Sequence, residues 1–199
     1  MKTDIISICS DKKGRTEALE QAERFAEYHG LTDKKALHIR LLTEEAISMI
    51  HEIVSEFQCD FWLESEQSVN GLLCKICISA DVDVNEWQEN ELLKVATSGK
   101  NEDAKGILGK LRQFLRWSLQ QSDEETASQS DVWYTMGSVN HEKYWSLQQY
   151  RQNLMKKDSA KWDELEKSII IRLADEVKIG IRTGKAEMII EKKFPAITY

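Results

Sequence analysis

The sequence predicts an α+β protein: a two-layer α/β sandwich with helices on one face of a mixed, mostly antiparallel sheet. Three observations carry this expectation. Two strand-like runs, "DFWLESEQ" and "LLCKICISADVDV", are joined through Asn70-Gly71, a pair that favours short hairpins. Ile39, Leu42, Ala46, Met49, Ile50, Ile53 and Phe57 recur at helical spacing and form one apolar stripe. A second pair of runs, "EVKIGIR" and "AEMIIEKKF", flanks "TGK" near the end of the chain.

The elements follow in order. "DIISICS" is a short β-branched run and reads as a first strand. Between Gly14 and His29 the spacing of Ala18, Ala22, Phe25 and Ala26 predicts a helix, and Gly30 supplies a left-handed stop. The long helix starts at Thr32 or Asp33 as N-cap. After the first hairpin, "ENELLKVAT" reads as a short helical piece. A glycine- and lysine-bearing stretch follows, then a helix from about 104 presenting Ile107, Leu108, Leu111, Phe114, Leu115 and Leu119. "QQSDEETASQSDVWYTMGSVN" is a polar surface loop that turns aromatic, and helical patterns at about 141–156 and 159–175 lead to the terminal hairpin. The only proline, Pro195, lies after the last strand and breaks nothing inside an element. A single domain spanning 1–199 with a helical insertion at about 120–160 accounts for this order.

Composition narrows the function classes. With 199 residues, 41% hydrophobic, 31% charged and a formal net charge of −7, the chain has the make-up of a globular protein. Its acidic balance opposes general nucleic-acid binding, which needs a basic face. No run approaches the length of a membrane span, and "MKTDIISICSDKKGR" lacks the apolar core of a signal peptide, so the expected compartment is cytoplasmic and the expected membrane role is none. Cys9, Cys59, Cys74 and Cys77 are then expected to stay reduced; Cys74 and Cys77 form C-x-x-C, but three residues apart on a strand they point to opposite faces.

Several motifs fail on spacing. The stretch "TSGKNEDAKGILGKL" is not a Walker A loop, because Ala104 stands five residues after Gly99 and Leu111 follows Lys110. His51-Glu52 is not a zincin motif, since the last position is Ser55. No G-x-S-x-G elbow is present, and the four histidines have no ligand neighbour at zinc spacing. What the stretch retains is Gly106 and Gly109 in the first turns of a helix, each costing about 1 kcal/mol against alanine. Backbone approach to a phosphate, helped by Lys100, Lys105 or Lys110, would explain that cost; so would close packing of helix on strand. Glu45 sits at the edge of the long helix's apolar stripe, where a carboxylate can serve as a general base or remain an ordinary surface glutamate. Trp133, Tyr134, Tyr144, Trp145, Tyr150 and Trp162 cluster late and suit a helix-pair core or a protein interface.

Taken together, "EALEQAERFAEYHGL", "LHIRLLTEEAISMIHEI", the strand pair ending "ICISADVDVN", "SGKNEDAKGILGKL" and "EVKIGIRTGKAEMIIEKKF" resemble, element by element, the ATP-binding domain of the histidine-kinase, gyrase, heat-shock-chaperone and MutL superfamily (GHKL, the Bergerat fold). Within it the chain is most similar to the small anti-sigma-factor serine kinases. The resemblance implies Glu45 as the catalytic base. It puts Asp81 at the adenine amino group, and Gly99, Lys100, Gly106, Gly109 and Lys110 in the lid and glycine box around the ATP phosphates. It also implies a protein partner such as a sigma factor or another regulator, with room for a homodimer. The chain departs from the pattern at Met49, where the family's magnesium-holding asparagine would stand, and at Asp83 and Asn85, where it has glycines. The expected function is therefore a divergent regulatory protein of bacterial signalling that acts by protein binding, with no metal ligand. An active ATP-dependent serine/threonine kinase and a non-nucleotide interaction scaffold stand as the alternatives.

Overall fold

The computed structural model describes residues 1–9, 14–53, 58–81, 144–149, 151–152, 169–182 and 185–196. They form β1 (Ile6–Cys9), α1 (Arg15–Tyr28), α2 (Asp33–Ile53), β2 (Gln58–Ser68), β3 (Gly71–Asp81), β4 (Tyr144–Ser146), α3 (Ile169–Leu173), β5 (Glu176–Arg182) and β6 (Lys185–Pro195). The architecture is α+β. The six strands make one sheet in the order β1-β2-β3-β6-β5-β4. Every pairing is antiparallel, which corrects the expected mixed sheet as far as the described residues go.

Register explains the core. Ile6, Phe61, Ile78, Met188, Ile179 and Trp145 stand opposite one another in a single row that crosses all six strands. All six are buried, with Phe61 at 0% exposure. Because side chains alternate along a strand, this row and its neighbours define one apolar face, and α1, α2 and α3 share its core through Phe25, Leu42 and Ile170. Full burial of such side chains is worth roughly 1.5–3 kcal/mol each, so this face dominates the stability of the sandwich. The other face is a ladder of charged and mixed residues: Trp62 Nε1 donates to Glu64 at 2.8 Å, Lys2 lies 4.5 Å from the Trp62 ring, and Lys178 pairs with Glu191 at 2.8 Å.

Local signals work as expected at several points. α1 ends in a Schellman arrangement, with Gly30 N–H donating to Glu27 O, Leu31 N–H to Ala26 O, and Gly30 at φ 65°. The first hairpin closes on Asn70-Gly71; Gly71 has φ 134°, and a Cβ there would fall 2.1 Å from the Phe194 carbonyl oxygen. Two boundaries differ from expectation. Tyr144–Ser146 is an edge strand rather than part of the helix expected at about 141–156. Pro195 is the last residue of β6, opposite Gly71, where a missing N–H is tolerated at the strand end. The helical insertion at about 120–160 lies mostly outside the described residues.

Candidate functional site

The long helix positions the first candidate residue. Ile39, Leu42, Ala46, Met49 and Ile50 face the core, and α2 packs on α1, β3, β6 and α3. On the α1 side of this helix, Glu44 accepts from Arg15 Nη2 at 3.2 Å. Glu45 lies about 100° further round and is half-buried. One turn later Met49 is 3% exposed and belongs to the hydrophobic core. A thioether in the hydrophobic core offers no oxygen to a hard cation. Among the described residues no group of three or more His, Cys, Asp or Glu side chains is arranged to hold a metal ion.

Glu45 and Asp81 lie at the same end of the sandwich, as a chain of contacts shows. Gly14, next to Arg15, abuts Ser7 and Ile8. Those residues stand opposite Asp60 and Cys59, which in turn stand opposite Ser79 and Ala80. Arg15 reaches Glu44, so the turn of α2 that carries Glu44 and Glu45 is level with the end of β3 where Asp81 pairs with Lys185. Gly99, Lys100, Gly106, Gly109 and Lys110 lie outside the described residues, as do the side chain of Asp81 and the positions Asp83 and Asn85.

The cysteine reading stands on geometry. Cys74 is on the helix-facing side of β3 and Cys77 on the other, and both are buried. Burial pushes the thiols of Cys59, Cys74 and Cys77 up to about 12, which removes the thiolate needed for metal or redox chemistry near neutral pH. Of the late aromatics, Trp145 is 3% exposed and sits in the core row, a core role and not a surface one. Trp133, Tyr134, Tyr150 and Trp162 fall outside the described residues.

Sequence reasoning missed the polar cluster that fastens Trp145 in place. Glu176, 7% exposed, accepts from Ser146 Oγ at 3.0 Å, Gln148 N–H at 3.1 Å and Val177 N–H at 2.8 Å. Ser146 Oγ in turn accepts from Gln149 N–H at 3.4 Å, so serine and glutamate together cap the helical turn that begins at residue 147. The signal present in the sequence was a serine before "LQQ", but its acidic partner lies thirty residues away.

No helix among the described residues is long and apolar enough to cross a membrane. Comparison with protein-family models, with curated proteins and with solved structures yields no match.

Proposed function

We propose that the chain is a divergent regulatory domain with the architecture of the histidine-kinase-like ATPases, acting in bacterial signalling by binding a protein partner, with nucleotide binding weak or absent. The observation that carries this reading is the burial of Met49 one turn after Glu45. That position would have to supply magnesium with an oxygen ligand, and here it fills the core instead. The element order supports the architecture: strand, helix, long helix, hairpin and, after a long intervening segment, a closing hairpin whose β6 lies beside β3. The common end occupied by Glu45 and the Asp81 backbone supports a cleft ancestry for that end. Function then resides in what the site has lost as much as in the fold it keeps.

Calorimetric titration with ATP, with and without magnesium, tests the reading. The expected result is no magnesium-dependent heat and no effect of Glu45→Ala. Magnesium-enhanced ATP binding that disappears in Glu45→Ala or in Gly109→Val would overturn it in favour of the alternative, an ATP-dependent serine/threonine kinase of the anti-sigma type.

A further inference from the structure

The outer side of the helix pair carries a feature that the nucleotide reading does not use. Where α1 hands over to α2, a groove of about 320 Å³ opens to solvent, lined by Glu23, Glu27, Leu31, Ala36, Leu37 and Arg40 among others. Leu31, Ala36 and Leu37 make part of the lining apolar, and Leu37 is 49% exposed. The volume is at the small end for a ligand site, with room for one large apolar side chain.

Charge says what kind of chain supplies that side chain. Glu20, Glu23 and Glu27 are exposed and, spaced three and four residues apart, form one stripe of α1 that runs into the groove. Arg40, the only cation lining the groove among the described residues, pairs with Glu23. No described residue makes an ion pair with Glu20 or Glu27, and the nearby Arg24, Lys34 and Lys35 do not line the groove. The α1 side of the groove is left with two uncompensated carboxylates, seven residues and so about 10 Å apart along the helix. We infer that this groove is where the regulatory partner docks, through a basic amphipathic helix. One large apolar side chain of that helix enters beside Leu31 and Leu37, and Lys or Arg side chains two turns apart meet Glu20 and Glu27. The same carboxylates repel an acidic segment, which gives the site its selectivity. This assignment rests on the partner-binding reading, and the two fail separately: magnesium-dependent ATP binding overturns that reading without changing what a peptide titration measures, and a silent peptide titration leaves the ATP result as it is.

The test is a fluorescein-labelled synthetic helix of about 14 residues, with leucine and one phenylalanine along one stripe and lysine on its flanks, titrated against the full chain and read by fluorescence anisotropy. Binding with a dissociation constant on the order of 10–100 μM is expected. Leu37→Glu, and Glu20→Lys with Glu27→Lys together, should each weaken it at least about tenfold with circular dichroism unchanged, since all three side chains are exposed. The same peptide with glutamate in place of lysine should bind the doubly reversed variant and not the parent. Glu187→Lys is the control: it reverses an exposed charge next to the buried Met188, on the side of the sheet away from the helices, and should leave the affinity within about twofold. No binding up to about 1 mM peptide would overturn the assignment. So would an equal loss in Glu187→Lys, the mark of general attraction to an acidic protein, and so would self-association of the chain that Leu37→Glu abolishes, because a second copy would then be the occupant.

Discussion

Glu176→Ala should uncouple β4 and the turn after it from the sheet, and the structure sets the size of the effect. The carboxylate accepts from Ser146 Oγ, Gln148 N–H and Val177 N–H in a site that is 7% exposed. Hydrogen bonds to a charged group are worth about 1.5–3 kcal/mol, and a buried donor left without a partner costs about 1–3 kcal/mol. The substitution strands donors on both sides of the contact, so a loss of about 3–5 kcal/mol is expected. In a chain of this length that is a fall in Tm on the order of 10 °C. Glu176→Gln keeps an acceptor oxygen and should lose about half as much; Ser146→Ala removes one bond and the serine cap, for about 1–2 kcal/mol. Urea denaturation followed by circular dichroism reads the stability, and hydrogen exchange at Trp145–Gln149 reads the location. Because Ser146 and Glu176 touch, a double-mutant cycle should show coupling of about 1 kcal/mol. A Glu176→Ala variant within about 0.5 kcal/mol of the parent, with unchanged exchange, would refute the view that this carboxylate fastens the edge of the sheet.

Three further outcomes follow from the same geometry. Gly71→Ala places a Cβ against the Phe194 carbonyl oxygen at a φ that side chains rarely adopt, so it should cost about 3 kcal/mol or more; a thermal shift of under about 2 °C would contradict the register of β3 with β6. A disulfide-exchange reagent at pH 8, an order-of-magnitude choice near the ordinary thiol range of about 8.5, should label only the half-exposed Cys9 quickly in the native protein, with all four thiols reacting in denaturant; fast labelling of two or more would show that Cys59, Cys74 and Cys77 are not held near 12. His29 and His38 both titrate below the ordinary 6.5, through burial first, then through the amino terminus for His29 and through Lys192 and Lys34 for His38. The folded state therefore binds these protons less readily than the unfolded chain, the stability they contribute is complete above 6.5, and it declines as pH falls from there through the folded values. The slope of stability between about pH 6.5 and 5 should be shallower in His29→Asn/His38→Gln, and an unchanged slope would place the acid sensitivity elsewhere.

The sequence determined what is local. Asn70-Gly71 specified the first hairpin, Gly30 the end of α1, the apolar stripe the buried side of α2, and "EVKIGIR" with "AEMIIEKKF" the closing pair, because turn chemistry and side-chain periodicity act over a few residues. It also identified Glu45 as an edge position and Met49 as a member of the stripe, and both descriptions hold. Tertiary structure alone decided what depends on residues distant in the chain. That β6 inserts between β3 and β5, so that Ile78 meets Met188, is a pairing across more than a hundred positions that no local pattern encodes. The burial of Trp145, the strand character of Tyr144–Ser146 and the cap supplied by Glu176 come from the same long-range closure. Likewise the level shared by Glu45 and Asp81 rests on Gly14 touching β1 and Arg15 reaching Glu44. Periodicity says which side of an element avoids water; only packing says which other element that side meets.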